Sequence, residues 1–119
     1  MRILIVEDEF IAALDLAEIV KSFGHEVVGP VWVPQSAIDL IRSQPIDAAL
    51  LDINLGTITA ISIADELDAR GVPYAVVTAY SPENIGVRFK DARYVSKPFR
   101  VADIKAAIKD IAASISRRG

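Results

Sequence analysis

The chain has no cysteine, which excludes disulfides, thiolate chemistry and Cys-ligated zinc and fits a cytoplasmic protein. It has no basic excess. Thirteen Lys and Arg against sixteen Asp and Glu leave a net charge of −3, which argues against nucleic acid as a direct partner. The basic pair Arg117-Arg118 reads as a solvated tail. No apolar run approaches the ~20 residues of a membrane span. No small-residue cleavage site follows the short run after Arg2, so no signal peptide is read. Repeats, linkers and low-complexity segments are also missing. What remains is 119 residues, 52% hydrophobic and 24% charged, a composition that fits one globular domain with a self-supporting core.

The stretch Ala48-Ala49-Leu50-Leu51-Asp52-Ile53-Asn54-Leu55-Gly56 organises the rest. An unbroken apolar run that stops at one acid, with a Gly soon after, predicts a strand buried on both faces. Asp52 then stands at the carboxyl end of that strand, where open α/β sheets bind their ligands. On its own such an acid reads equally as a turn carboxylate.

Taken in order, Arg2 to Val6 is a second apolar run and ends in Glu7, Asp8 and Glu9. Phe10, Leu14, Ala17 and Val20–Lys21 recur at helical spacing, with Gly24 placed as a helix C-cap. His25 to Gly29 is a short strand closed by Gly29-Pro30. Val33 to Ser43 is a helix with Ala37, Leu40 and Ile41 on one face, and Pro45 bars its continuation. Ile46 to Asp52 is the third strand, Ile58 to Arg70 the third helix, and Val72 to Thr78 the fourth strand. Ala79 to Lys90 contains Pro82 and Gly86 and reads as a loop with at most a short helix. Arg93 to Ser96 is the fifth strand. Val101 to Ile115 is the last helix, with Ile104, Ile108, Ile111 and Ile115 as its buried stripe. Five strand–helix alternations predict an α/β fold, a doubly wound parallel sheet of flavodoxin-like order 2-1-3-4-5.

In that sheet the carboxyl ends of strands one, three, four and five share an edge, and they deliver Glu7 and Asp8, Asp52, Thr78 and Lys97 there. Crowded carboxylates repel, so either one takes a proton or a cation joins them. Mg²⁺ suits a site with a few oxygens and room for waters and phosphate oxygens. Lys97 adds a compact positive charge for phosphate. The set therefore suits phosphoryl transfer onto a carboxylate. Each residue also has an ordinary reading: Thr78 as a strand-end β-branched residue, Tyr94 as a packed aromatic, Lys97 as a solvated turn residue. Trp32 reads as a packing residue without function. His25, away from the predicted rim, reads as a surface residue and not as a phosphodonor.

From ILIVEDE through LLDINLG and VVTAY to VSKPF, the chain resembles a response-regulator receiver domain of bacterial two-component signalling. The resemblance implies Asp52 as phosphoacceptor, Asp8 as a direct Mg²⁺ ligand, Glu7 acting through a metal-bound water, and the Asn54 backbone carbonyl as a third protein ligand. It implies that Lys97 binds a phosphoryl oxygen and pairs with Asp52 in its absence, and that the Lys97–Pro98 bond is cis. Thr78 and Tyr94 would form the switch that carries the change to the surface. The implied partners are a sensor histidine kinase or histidine phosphotransfer protein and a downstream protein of unknown identity.

Only residues 79 to 96 separate Thr78 from Lys97, which implies a shortened or irregular fourth helix. The segment around Val76-Val77-Thr78-Ala79-Tyr80 resembles a variant motif of stand-alone alphaproteobacterial receivers, with Ala79 where that group has Gly. It puts Tyr80 near the mouth of the site, where its ring would shield the acyl phosphate. The expectation is a single receiver over residues 1–119 without an output domain, a switch and not an enzyme beyond its own phosphorylation and dephosphorylation. Two other readings stay open: a receiver-shaped interaction module that is never phosphorylated, and a haloacid-dehalogenase-like phosphohydrolase. Against the latter, Asn54 stands where that family carries a second Asp.

Overall fold

The structure is a computed structural model and describes residues 1–53 and 57–118. Five parallel strands, β1 (Arg2–Val6), β2 (Glu26–Val31), β3 (Ala48–Leu51), β4 (Tyr74–Thr78) and β5 (Arg93–Ser96), form one sheet in the order β2-β1-β3-β4-β5. The helices are α1 (Phe10–Ser22), α2 (Pro34–Ser43), α3 (Thr57–Ala69) and α4 (Val101–Arg118). Between β4 and β5, where a further crossover helix would stand, the chain makes two single 3₁₀ turns at Pro82–Asn84 and Val87–Phe89. The segment is thus irregular, as its spacing, Pro82 and Gly86 led one to expect.

The strands explain their own apolar runs. Successive side chains point to opposite faces, and both faces are covered. Leu4, Val6, Ala49, Leu51 and Val76 join Ala37, Ile41, Ile63, Leu67 and Phe89 in one core. Ile3, Ile5, Ala48, Leu50 and Val77 join Leu16, Val20, Ile104, Ile108 and Ile111 in the other. The α4 stripe therefore faces the sheet as its spacing predicts.

Some expected boundaries and faces shift. In α1 the buried face is Ala13, Leu16, Ala17 and Val20, whereas Phe10 and Leu14 are exposed and line a cleft with Trp32, Pro30 and Ala13. Small Ala residues let the helix lie close to the sheet, so the larger side chains fall outside the contact. Gly24 does end α1: its φ is +85° and its N–H bonds the Lys21 carbonyl at 2.9 Å, as in a left-handed C-cap.

β2 does not stop at Gly29-Pro30. Leu4 pairs with Val28 and Val6 with Val31, so those two residues form a bulge and the strand resumes after them. Gly29 is required there, since at its φ of +92° an added Cβ would lie 2.9 Å from the Val31 nitrogen. α2 starts at Pro34, not Val33, with proline in the first turn. β4 starts at Tyr74, not Val72, because the Val72 N–H turns back to the Leu67 carbonyl at 2.9 Å and Pro73 has no N–H to give. Likewise β3 covers only Ala48–Leu51, the Asp47 N–H being taken by the Arg2 carbonyl.

Candidate functional site

Parallel pairing brings four strand ends to one edge, and backbone hydrogen bonds hold each in place. The Glu7 N–H donates to the Val31 carbonyl at 2.9 Å, the Asp52 N–H to the Val6 carbonyl at 2.9 Å, and the Lys97 N–H to the Thr78 carbonyl at 2.8 Å. The β2 bulge matters here, since the carbonyl that receives Glu7 belongs to the residue just beyond it. Glu7, Asp52 and Thr78 are the buried polar or charged residues at this rim, while Asp8 is exposed.

The Lys97 ammonium is the centre of the arrangement. It donates to Glu7 Oε1 at 3.0 Å, to Glu9 Oε1 at 3.0 Å and to Asp52 Oδ2 at 3.2 Å. Burial works against its charge. The hydrogen bonds to Glu7 and Glu9 and the charges of Asp52 and Glu7 outweigh that, and hold its pKa above the ordinary lysine value. Glu7 Oε1 also accepts the Glu9 N–H at 3.0 Å. Its other oxygen, Oε2, lies 2.8 Å from Nζ, in a geometry that makes no hydrogen bond, and is buried.

Oxygens of Glu7, Asp8 and Asp52 all lie within 4.8 Å of one another. Loss of some of its hydration at the crowded rim, followed by the hydrogen bond and charge of Asp52, raises the Asp8 pKa above the usual carboxylate value. A buried carboxylate oxygen without a hydrogen bond and a strained neighbouring acid are what a hard divalent cation relieves. The donor set therefore fits Mg²⁺.

Thr78 is fully buried at the same rim, and its Oγ1 accepts the Tyr80 N–H at 3.1 Å. Tyr94, on β5, is half-buried, and its hydroxyl donates to the Tyr80 carbonyl at 2.5 Å. Both tyrosines thus connect to Thr78 through the Tyr80 backbone, and the Tyr80 side chain is exposed. The Lys97–Pro98 peptide is cis. Asn54 lies outside the described residues. His25 is remote from the rim and bonds the amino terminus at 3.0 Å; partial burial, then that positive charge, lower its pKa. Sequence reading missed Glu9 as a partner of Lys97. The available signal was a third acid at the same strand end.

A doubly wound sheet with acids, a threonine and a lysine at its carboxyl edge defines the class of phosphoacceptor switch proteins. The chain belongs to the response regulator receiver domain family, whose model matches residues 3–109. It is 33% identical over 112 residues to the transcriptional regulatory protein PdtaR of Mycobacterium tuberculosis, covering 91% of this chain and 55% of that protein. It is 35% identical over 112 residues to the phyllosphere-induced regulator PhyR of Methylorubrum extorquens, covering 90% and 42%. The chain thus spans about half the length of the curated relatives it matches. Among solved structures, BeF3-activated SdrG from Pseudomonas melonis superposes with a TM-score of 0.80 at 33% identity, covering 91% of this chain and 92% of that one. TrrA from Thermotoga maritima, in complex with Mg(2+)-BeF, gives 0.80 at 26% identity, covering 92% and 97%.

Receiver domains are signalling switches, not enzymes in the usual sense. They bind Mg²⁺ at an acidic pocket and accept phosphoryl groups from histidine kinases or phosphotransfer proteins. Among the described residues, no helix is long and apolar enough to cross a membrane.

Proposed function

We propose that this chain takes a phosphoryl group onto Asp52 from a phosphohistidine, in the cytoplasm, and answers by changing its contact with a downstream protein. The observation that carries this reading is the buried Asp52 carboxylate, 3.2 Å from the Lys97 ammonium and within one cluster with Glu7 and Asp8.

In the forward step an Asp52 oxygen attacks phosphorus. A P–O bond forms, the P–N bond to the donor imidazole breaks, and its electron pair stays with the imidazole. Lys97 turns an N–H from a carboxylate to a phosphoryl oxygen, which supplies charge as the group arrives. Asp8 and Asp52, with Glu7 through a water and the Asn54 carbonyl, would hold Mg²⁺. When bound, that ion neutralises the carboxylates and the phosphoryl oxygens. In the hydrolysis that resets the site, water attacks phosphorus, the acyl phosphate P–O bond breaks, and Asp52 regains its carboxylate as inorganic phosphate leaves. The same site would phosphorylate itself from a small donor such as acetyl phosphate.

Thr78 would donate a hydrogen bond from its hydroxyl to a phosphoryl oxygen and move toward it. Because Thr78 Oγ1 also holds the Tyr80 N–H, and the Tyr80 carbonyl holds Tyr94, that movement would reach the β5 surface through two hydrogen bonds. The exposed Tyr80 ring would screen the acyl phosphate from water.

The test is intact mass after incubation with acetyl phosphate and Mg²⁺, beside Asp52→Asn. One phosphoryl group gained by the wild type alone is the expected result. A gain in Asp52→Asn as well would move the acceptor elsewhere. No gain in either, together with no response to beryllofluoride, would sink the reading.

A further inference from the structure

The geometry points to Glu9 as the displaceable counter-ion of Lys97, a carboxylate that occupies one ammonium hydrogen at rest and yields it to the incoming phosphoryl oxygen. This inference rests on Asp52 being the acceptor.

An ammonium group has three N–H donors, and three carboxylates take them here: Glu7 and Glu9 at 3.0 Å and Asp52 at 3.2 Å. A phosphoryl oxygen that binds Lys97 must therefore replace one of them. Glu7 is shielded from solvent, and the same oxygen also accepts the Glu9 backbone N–H, so it is fixed from two sides. Asp52 is equally shielded and carries the new group itself. Glu9 differs from both. Its side chain is 62% exposed, and water can take over the hydrogen bond that it gives up.

The local sequence makes sense in the same terms. Glu9 is the N-cap of α1, yet its side chain makes no cap hydrogen bond. Ser, Thr, Asp and Asn are the good N-caps because their short side chains reach the first helical N–H groups. Glutamate serves the helix poorly, and this one reaches across to a lysine 88 positions away. The residue at this position thus serves the rim and not the helix, and replacing it removes no cap.

Glu9 is accordingly a positioning residue. Its charge holds the ammonium in place while the site is empty of phosphate, and competes with any anion that approaches. Its removal leaves a donor of Lys97 ready, and weakens the total negative charge available to a cation. A phosphoryl mimic therefore binds tighter while a bare cation does not, a pattern that a general loss of structure cannot produce.

The experiment compares wild type, Glu9→Gln and Glu9→Ala. Beryllofluoride is titrated by NMR at saturating Mg²⁺, Mg²⁺ is titrated alone, and the Lys97 Nζ resonance is recorded without ions. In Glu9→Ala, beryllofluoride binds about two- to fivefold tighter, the range of a partly exposed ion pair, while Mg²⁺ binds no tighter than in wild type. Glu9→Gln falls between the two proteins, because its amide oxygen still accepts a hydrogen bond. The Lys97 resonance shifts in Glu9→Ala. Equal or weaker beryllofluoride binding in Glu9→Ala, or an unmoved Lys97 resonance, overturns the inference. If wild type itself ignores beryllofluoride, the acceptor reading and the displacement fall together, whereas equal binding in all three proteins sinks the displacement alone.

Discussion

Lys97 Nζ lies 2.8 Å from Glu7 Oε2, and the two side chains, almost fully shielded from water, are brought together from opposite ends of the chain. A Lys97→Met substitution keeps the length of the side chain and removes the charge, which leaves Glu7 and Asp52 buried without their cation. Breaking a buried pair from one side costs about 3–5 kcal/mol, and the small exposure of Lys97 leaves little screening to reduce that. The expected outcome is a loss of this size in urea unfolding at neutral pH without divalent ions, partly restored by Mg²⁺. A loss under about 1 kcal/mol, the value of a surface pair, would mean that the carboxylates carry protons in the folded protein instead.

Asp8 gives a titration to test. Loss of some of its hydration, then the hydrogen bond and charge of Asp52, raise its pKa in the folded chain. A carboxyl whose folded pKa exceeds its unfolded value of about 3.9 keeps its proton in the folded state where the unfolded state has lost it. Its contribution to stability is therefore absent at neutral pH, grows as pH falls through the folded pKa, and is complete below the unfolded one. Asp52→Asn removes the neighbouring charge and leaves the loss of hydration, so the Asp8 midpoint moves down toward the ordinary value. Side-chain carboxyl ¹³C shifts followed against pH in both proteins measure this directly. An Asp8 midpoint unmoved by Asp52→Asn would count against the crowding of the two acids.

The parts of this molecule that show in its sequence are those where one local rule decides. Parallel strands buried on both faces must be continuously apolar, so the runs ending at Glu7 and Asp52 mark two strands and the site edge together. The face of α1 was legible only in part: Ala17 and Val20 are on it, but close packing on the sheet uses Ala13, which carries little hydrophobic signal beside the exposed Phe10 and Leu14. Gly29-Pro30 reads locally as a stop, and only the register of β1 against β2 shows that it is a bulge inside a strand. Glu9 was hidden for another reason: three acids in succession share one local pattern, and which of them reaches Lys97 depends on where β5 ends.

The irregular segment between β4 and β5 is expected to be an anchored part of the fold. Phe89, in its second 3₁₀ turn, is 1% exposed and among the largest fully buried side chains. Arg88 beside it bonds Asp65 Oδ1 at 3.0 Å, Asp68 Oδ2 at 2.5 Å and the Tyr74 hydroxyl at 3.2 Å, which ties the segment to α3 and β4. Phe89→Ala should cost about 3–5 kcal/mol, as for other buried aromatics. Arg88→Met should cost about 1–2 kcal/mol, since its ion pairs are partly exposed and its phenol bond is one ordinary hydrogen bond. Urea unfolding gives both values. Amide exchange should quicken around residues 82–92 in Arg88→Met and across the whole chain in Phe89→Ala. A near-neutral Phe89→Ala would show that the segment is loosely held.

Tyr80 has two separable parts, and two substitutions divide them. Its backbone joins Thr78 Oγ1 to the Tyr94 hydroxyl, whereas its exposed ring is the proposed screen over the acyl phosphate. Tyr94→Phe removes one hydroxyl from the Tyr80 carbonyl and should cost about 1 kcal/mol, with phosphate lifetime little changed because no group near Asp52 is lost. Tyr80→Ala keeps both backbone hydrogen bonds and removes the ring. The expected result is unchanged stability and a several-fold faster return of the phosphorylated protein to its original mass. Both lifetimes follow from intact mass after removal of acetyl phosphate. A Tyr80→Ala protein that keeps its phosphate as long as the wild type would take the ring out of the account of hydrolysis. Faster loss in Tyr94→Phe than in Tyr80→Ala would assign the control of lifetime to the hydrogen-bonded backbone that runs from Thr78 to β5.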